Sequence, residues 1–178
     1  MKKILFLTVL IISSPAFSQG LPFKEPALAT YSDLLDNHPH ADIIINSELS
    51  ATPSAKKVLI SARHMVEKDE IIKGGCWDYL NAAWNRAGFG DRQRTVIFKG
   101  DIKTPPYANI DDIQAGDWLY HVNYGYNNIE HSGMFVGWID KENAIGLTLS
   151  YAGEKRGEPA RYKAYDLSGV YRITRVKE

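Results

Sequence analysis

The sequence predicts an α+β fold, with helices gathered ahead of an antiparallel sheet. Three patterns lead to it. Apolar residues recur at helical spacing between Thr52 and Gly88, period-two runs take over from Arg94 onward, and the turns between those runs are short. Short turns join strands that run in opposite directions.

The first eighteen residues differ in composition from the rest. Lys2 and Lys3 precede an apolar run from Ile4 to Ile12, broken only by Thr8, and Ala16-Phe17-Ser18 puts small residues at the −3 and −1 positions of a signal-peptidase site before Gln19. The run is too short to anchor a protein in a bilayer. No Cys follows that would accept a lipid. The expectation is a signal peptide at 1–18 and a periplasmic or secreted mature protein without a membrane anchor. A buried N-terminal core helix is the competing reading.

Residues 19–50 are rich in Pro, His, Asp and Asn. They read as an irregular lead that wraps the domain, with Ile43-Ile44-Ile45 offering one edge strand. His38 and His40 flank Pro39, but no third ligand stands near them, so the pair reads as a surface loop. No metal or cofactor is expected.

The domain proper is expected over 51–178. Thr52 serves as N-cap and Pro53 as first residue of a helix whose apolar stripe is Val58, Leu59, Ala62, Met65 and Val66. Lys56, Lys57, Arg63, Glu67 and Lys68 fall mostly off that stripe, and His64 falls on the polar side. Gly74-Gly75 breaks the chain before a second helix from Cys76 to Ala87. Trp77, Leu80, Ala83, Trp84 and Ala87 form its buried face, and Gly88 ends it. Strands are then expected at 94–99, 118–123, 132–139, 144–151, 161–165 and 170–175.

The mature chain carries nineteen basic side chains, the total of 21 less Lys2 and Lys3, against 21 acidic ones. That near-neutral balance argues against nucleic acid as the main partner, because phosphate neutralisation needs a basic surface. No second long apolar segment appears. The single Cys, Cys76, has no intrachain disulfide partner. A lone thiol in an oxidising compartment points to chemistry, against the alternative of an inert buried side chain.

A thiol attacks as thiolate, and the first turn of a helix supplies unpaired amides and the positive dipole end that favour the anion. Cys76 is placed there, and the same amides could hold the oxyanion of a tetrahedral intermediate. Its base must come from elsewhere in the fold. His131, opening the strand His131-Ser132-Gly133-Met134, is the candidate, and His121 is its competitor. A polar residue on the neighbouring strand should orient the imidazole. Thr148 and Ser150 qualify, being two apart on one face, with a backbone carbonyl as the other option.

Around this set, Trp77, Asp117, Trp118 and Tyr120 are candidates for substrate contact, with Tyr124 and Tyr126 as a rim near the His loop. Trp84 fits the core periodicity, and Asp78 fits a capping or solvated role.

Gly75-Cys76-Trp77-Asp78-Tyr79, opening a helix that ends in Ala87-Gly88-Phe89, resembles the nucleophile segment of NlpC-type papain-like peptidases. Ala115-Gly116-Asp117-Trp118-Leu119-Tyr120 resembles that family's Pro-Gly-Asp strand entry, and His131-Ser132-Gly133-Met134-Phe135-Val136-Gly137 its His-Val-Gly-Ile-Tyr-Leu-Gly strand. The order Cys then His fits this family and not its circularly permuted acyltransferase relatives. Trp77-Asp78 stands where the family has Ser-Gly, Ala115 where it has Pro, and the third polar residue is not its His.

The resemblance covers about residues 70–155. It implies a helix packed on a small antiparallel, barrel-like sheet with the site between them. It also implies hydrolysis of amide bonds in peptidoglycan stem peptides. The alternatives are a non-catalytic binding domain on the same fold, and a secreted hydrolase or acyltransferase with a substrate outside the wall.

Overall fold

The computed structural model describes residues 38–178. The expected signal peptide, and the lead up to residue 37, lie outside the described residues. Among the described residues three α-helices precede the sheet: α1 (Ala41–Ser50), α2 (Pro53–Glu67) and α3 (Cys76–Arg86). Among the described residues no helix is long and apolar enough to cross a membrane.

α1 corrects the expectation of an irregular lead with an edge strand at Ile43-Ile45. Ala41, Ile44, Ser47 and Glu48 turn inward at helical spacing. The pattern is invisible to an apolar count because one inward residue is an acid. Glu48 Oε1 accepts from Arg63 Nε of α2 at 2.7 Å, and its Oε2 from Nη2 at 3.2 Å. Arg63, expected off the buried stripe, is therefore fully buried, and it also pairs with Glu67. A charge survives in a core only with such bidentate partners.

α2 begins as its sequence predicts. Thr52 Oγ1 accepts from the Ala55 amide, Pro53 takes the first turn, and Val58, Leu59, Ala62 and Met65 are buried. α3 is entered through Gly74, whose φ is +108° and whose Cβ, were there one, would lie 2.1 Å from Asp78 Oδ2. Asp78 caps the helix, accepting from the Gly75 amide at 2.8 Å. Tyr79, Leu80, Ala83 and Trp84 are buried, whereas Trp77, expected on that face, is 45% exposed.

The sheet has six strands: β1 (Arg94–Lys99), β2 (Trp118–Asn123), β3 (Ile129–Asp140), β4 (Ile145–Ser150), β5 (Arg161–Asp166) and β6 (Val170–Val176). Their order is β1-β6-β2-β3-β4-β5 and every neighbouring pair is antiparallel. The fold is thus α+β, as expected, with β1 and β5 as sheet edges. β3 starts earlier than expected because β2 pairs with it out to Asn123↔Ile129. His131 therefore lies inside a strand rather than at its opening.

Strand alternation gives the sheet two buried faces. The first receives the helices: Trp118, Met134, Val136, Leu147 and Leu149 pack with Leu59, Leu80, Ala83 and Trp84. The second carries Leu119, Phe135, Val170 and Ile173, packed with Ala108 and Ile113 from the long connection between β1 and β2.

Candidate functional site

Cys76 is the first residue of α3, and Leu80, Ala83 and Trp84 follow it by four, seven and eight positions. That spacing places Cys76 on the sheet-facing side of the helix. The entry to α3 is pinned against the exit of β4. Glu154 N donates to Gly74 O at 2.9 Å, and the Tyr151 hydroxyl donates to Ile72 O at 2.7 Å.

An aromatic row runs across the same face: Trp77 against Trp118 at 5.6 Å, Trp118 stacked on Tyr120 at 5.8 Å, and Tyr120 against Tyr171 at 6.3 Å. The Tyr171 hydroxyl is held above the usual phenol range by burial, then by Glu130, Tyr120 and Cys76.

His131 stands elsewhere. It pairs across β2–β3 with His121, their rings 5.5 Å apart and T-shaped. Cross-strand partners share a face, and two-residue steps along each strand link the pair to Leu119 and Phe135, on the side away from the helices. The residues of β3 that point toward the helices here are Glu130 and Ser132, one position to either side. Cys76 and His131 therefore approach the sheet from opposite faces. Among the described residues no hydrogen bond joins Cys76 to either imidazole. This corrects the expectation of an imidazole beside the thiol, and the cause is strand parity.

Ser150, expected to orient His131, lies within hydrogen-bond reach of it. Ser150 Oγ lies 2.8 Å from His131 Nε2 and 2.9 Å from the Tyr165 hydroxyl. Thr148 shares that face, but its hydroxyl donates to the Lys163 carbonyl instead. Burial, and then the Lys163 ammonium, push the His131 pKa down to about 4. His121 is fully buried, its Nδ1 is 3.3 Å from the Val122 carbonyl, and its Nε2 has no partner among the described residues. Burial, and then the His131 charge, lower its pKa to about 4. Both rings are therefore neutral at physiological pH.

His131 and Ser150 form one wall of a cavity of about 480 Å³, whose other walls include Tyr124, Tyr126, Lys163 and Tyr165. Cys76 is not part of its lining.

The remaining candidates divide. Tyr124 and Tyr126 do form a rim, 43% and 52% exposed. Trp118 is only 1% exposed, wedged between Trp77, Trp84 and Tyr120, with the Arg94 guanidinium 5.3 Å from its ring. It is packing, not a cleft wall. Asp117, expected at the substrate, is buried as a turn lock: it accepts from Arg175 Nε at 2.8 Å, Arg175 Nη2 at 2.7 Å and Gln114 N at 2.8 Å. Trp77 and Tyr120 stay on the Cys76 side.

His38 Nδ1 accepts from the His40 amide at 3.1 Å, and no metal-binding cluster occurs among the described residues.

Sequence reasoning missed Lys163 and Tyr165. Their alternation in Arg161-Tyr162-Lys163-Ala164-Tyr165 looks like the solvent side of an edge strand. Only the pairing Ser150↔Arg161 and Thr148↔Lys163 brings that side to His131.

Comparison with family models, curated proteins and solved structures finds no match for this chain.

Proposed function

We propose that this chain is an exported binding domain that takes a peptide-like ligand in the His131 cavity. The observation that carries this reading is the convergence of His131, Ser150, Tyr165 and Lys163 on a cavity of about 480 Å³ with tyrosines at its mouth. Ligand pockets of about 300–1,000 Å³ with a few convergent polar groups are the usual form of small-molecule sites. A neutral imidazole hydrogen-bonded to a hydroxyl both donates and accepts, which suits amide groups. The tyrosines offer flat faces and hydroxyls at little entropic cost. Export rests on the signal-peptide composition expected of residues 1–18. Stem peptides of peptidoglycan are the ligand class implied by the resemblance to NlpC-type proteins.

The test is calorimetric titration of residues 19–178 with defined muropeptides. Binding should survive Cys76→Ala and weaken at least tenfold in Tyr126→Ala/Ser150→Ala. Equal binding by the latter variant would exclude the cavity.

A second reading is favoured by Cys76 on the first turn of α3, where the resemblance implies a nucleophile, and by the hydrogen bond between His131 and Ser150. It is a papain-like cysteine hydrolase of the wall, or an acyltransferase with another substrate. It requires either a base other than His131 as placed, or a rearranged β3. Turnover of muropeptides by the wild type, abolished in Cys76→Ala, would establish it over the binding reading.

A further inference from the structure

We infer that the His131 cavity selects a short peptide bearing a free carboxylate, with Lys163 and Arg156 receiving the charge. The inference rests on the binding reading above and adds the ligand's chemistry. Five charged residues line the cavity: Arg156, Arg161, Lys163, Glu158 and Asp166. Arg161 is paired with Glu158 at 3.1 Å. Asp166 Oδ1 is engaged locally, accepting from the Ser168 amide at 2.9 Å and the Ser168 hydroxyl at 2.6 Å.

Lys163 and Arg156 enter no ion pair among the described residues. The Lys163 ammonium sits 5.3 Å from the centre of the Tyr165 ring, and its charge bears on His131. The lining thus sets three cations against two carboxylates, a net positive balance in which Lys163 and Arg156 have no carboxylate partner among the described residues. Beside them stand the neutral His131, Ser150 and Tyr165. A cationic ligand would meet like charge, and a purely apolar one would strand these polar groups.

Size separates a peptide from a bare anion. The volume of about 480 Å³ equals roughly sixteen waters at about 30 Å³ each, so a carboxylate alone leaves most of it unfilled. At the mouth, Tyr124, Tyr126 and Ile129 are 43%, 52% and 46% exposed, an apolar rim fit to cover amide planes and side chains. A charged end held by Lys163 and Arg156, followed by amides beside His131 and Ser150, fills the space with matched groups.

The test uses residues 19–178, N-acetyl-trialanine as free acid and as C-terminal amide, and inorganic phosphate, with affinities from NMR titration. The free acid should bind at least tenfold more tightly than the amide. Lys163→Met should bring that ratio close to one, and Lys163→Arg should keep it. Lys163 is exposed, so neither variant threatens the fold, which circular dichroism checks.

Equal affinity for acid and amide, or a preference unchanged in Lys163→Met, overturns the carboxylate assignment and leaves the binding reading standing. Perturbation of the cavity resonances by phosphate and not by the peptide acid overturns the peptide assignment. Failure of both peptides where muropeptides bind overturns the inference alone. Failure of every probe overturns both.

Discussion

Lowering the pH from 7 to about 5 should destabilise this protein through His121 and His131. Each imidazole titrates near 6.5 in the unfolded chain and near 4 in the folded one. The unfolded chain therefore binds more protons throughout that window, so the stability present above about 6.5 is lost as pH falls toward 4. For one such group the loss by pH 5 is about 2 kcal/mol. For the pair it is up to about 4 kcal/mol while both stay neutral in the folded state.

The assay is urea denaturation at both pH values for the wild type, His131→Gln and His121→Gln/His131→Gln. Other titrating groups contribute alike in all three, so the difference in pH response isolates the imidazoles. His131→Gln should remove about half of the extra loss and the double variant nearly all of it. If wild type and double variant lost the same stability on acidification, the folded-state imidazoles would not be the suppressed bases argued above.

Three further outcomes test the packing. Arg63→Met takes the bidentate guanidinium away from the buried Glu48 carboxylate and should cost about 3–5 kcal/mol, seen as a fall in Tm; a loss below about 1 kcal/mol would mean that the pair is not desolvated. Gly116→Ala places a Cβ at φ +90°, 2.9 Å from Ala55 Cβ, and should cost more than about 1 kcal/mol in urea denaturation; an unchanged midpoint would contradict the close approach of α2 to this turn. Thr52→Ala removes the acceptor for the Ala55 amide and should cost about 1 kcal/mol, whereas no change would show that the cap is replaced by water.

Much of the element list was legible because it depends on neighbours in the chain. Thr52-Pro53 announces the start of α2 by cap chemistry, and Gly74-Gly75 and Gly88 bound α3. Alternation placed β1 and β2 at the bounds observed. Period-two spacing on adjacent strands offered Thr148 and Ser150 as partners for His131, of which Ser150 makes the hydrogen bond, and the tyrosines after β2 were offered as a rim. α1 escaped because its inward face includes Glu48, whose partner is fifteen residues away in α2.

The sequence by itself determined which residue types were present, the helix and strand periods, and hence the α+β class. Tertiary structure alone decided which face of the sheet the helices cover, and so which neighbours each β3 side chain meets. Parity along β3 turns His131 toward Ser150, Tyr165 and Lys163 and leaves Ser132 and Glu130 on the side of Cys76. Chain-local spacing records that alternate residues part company. Which of the two sets lies under a helix is settled by long-range burial, since it depends on how α2 and α3 pack against strands far along the chain.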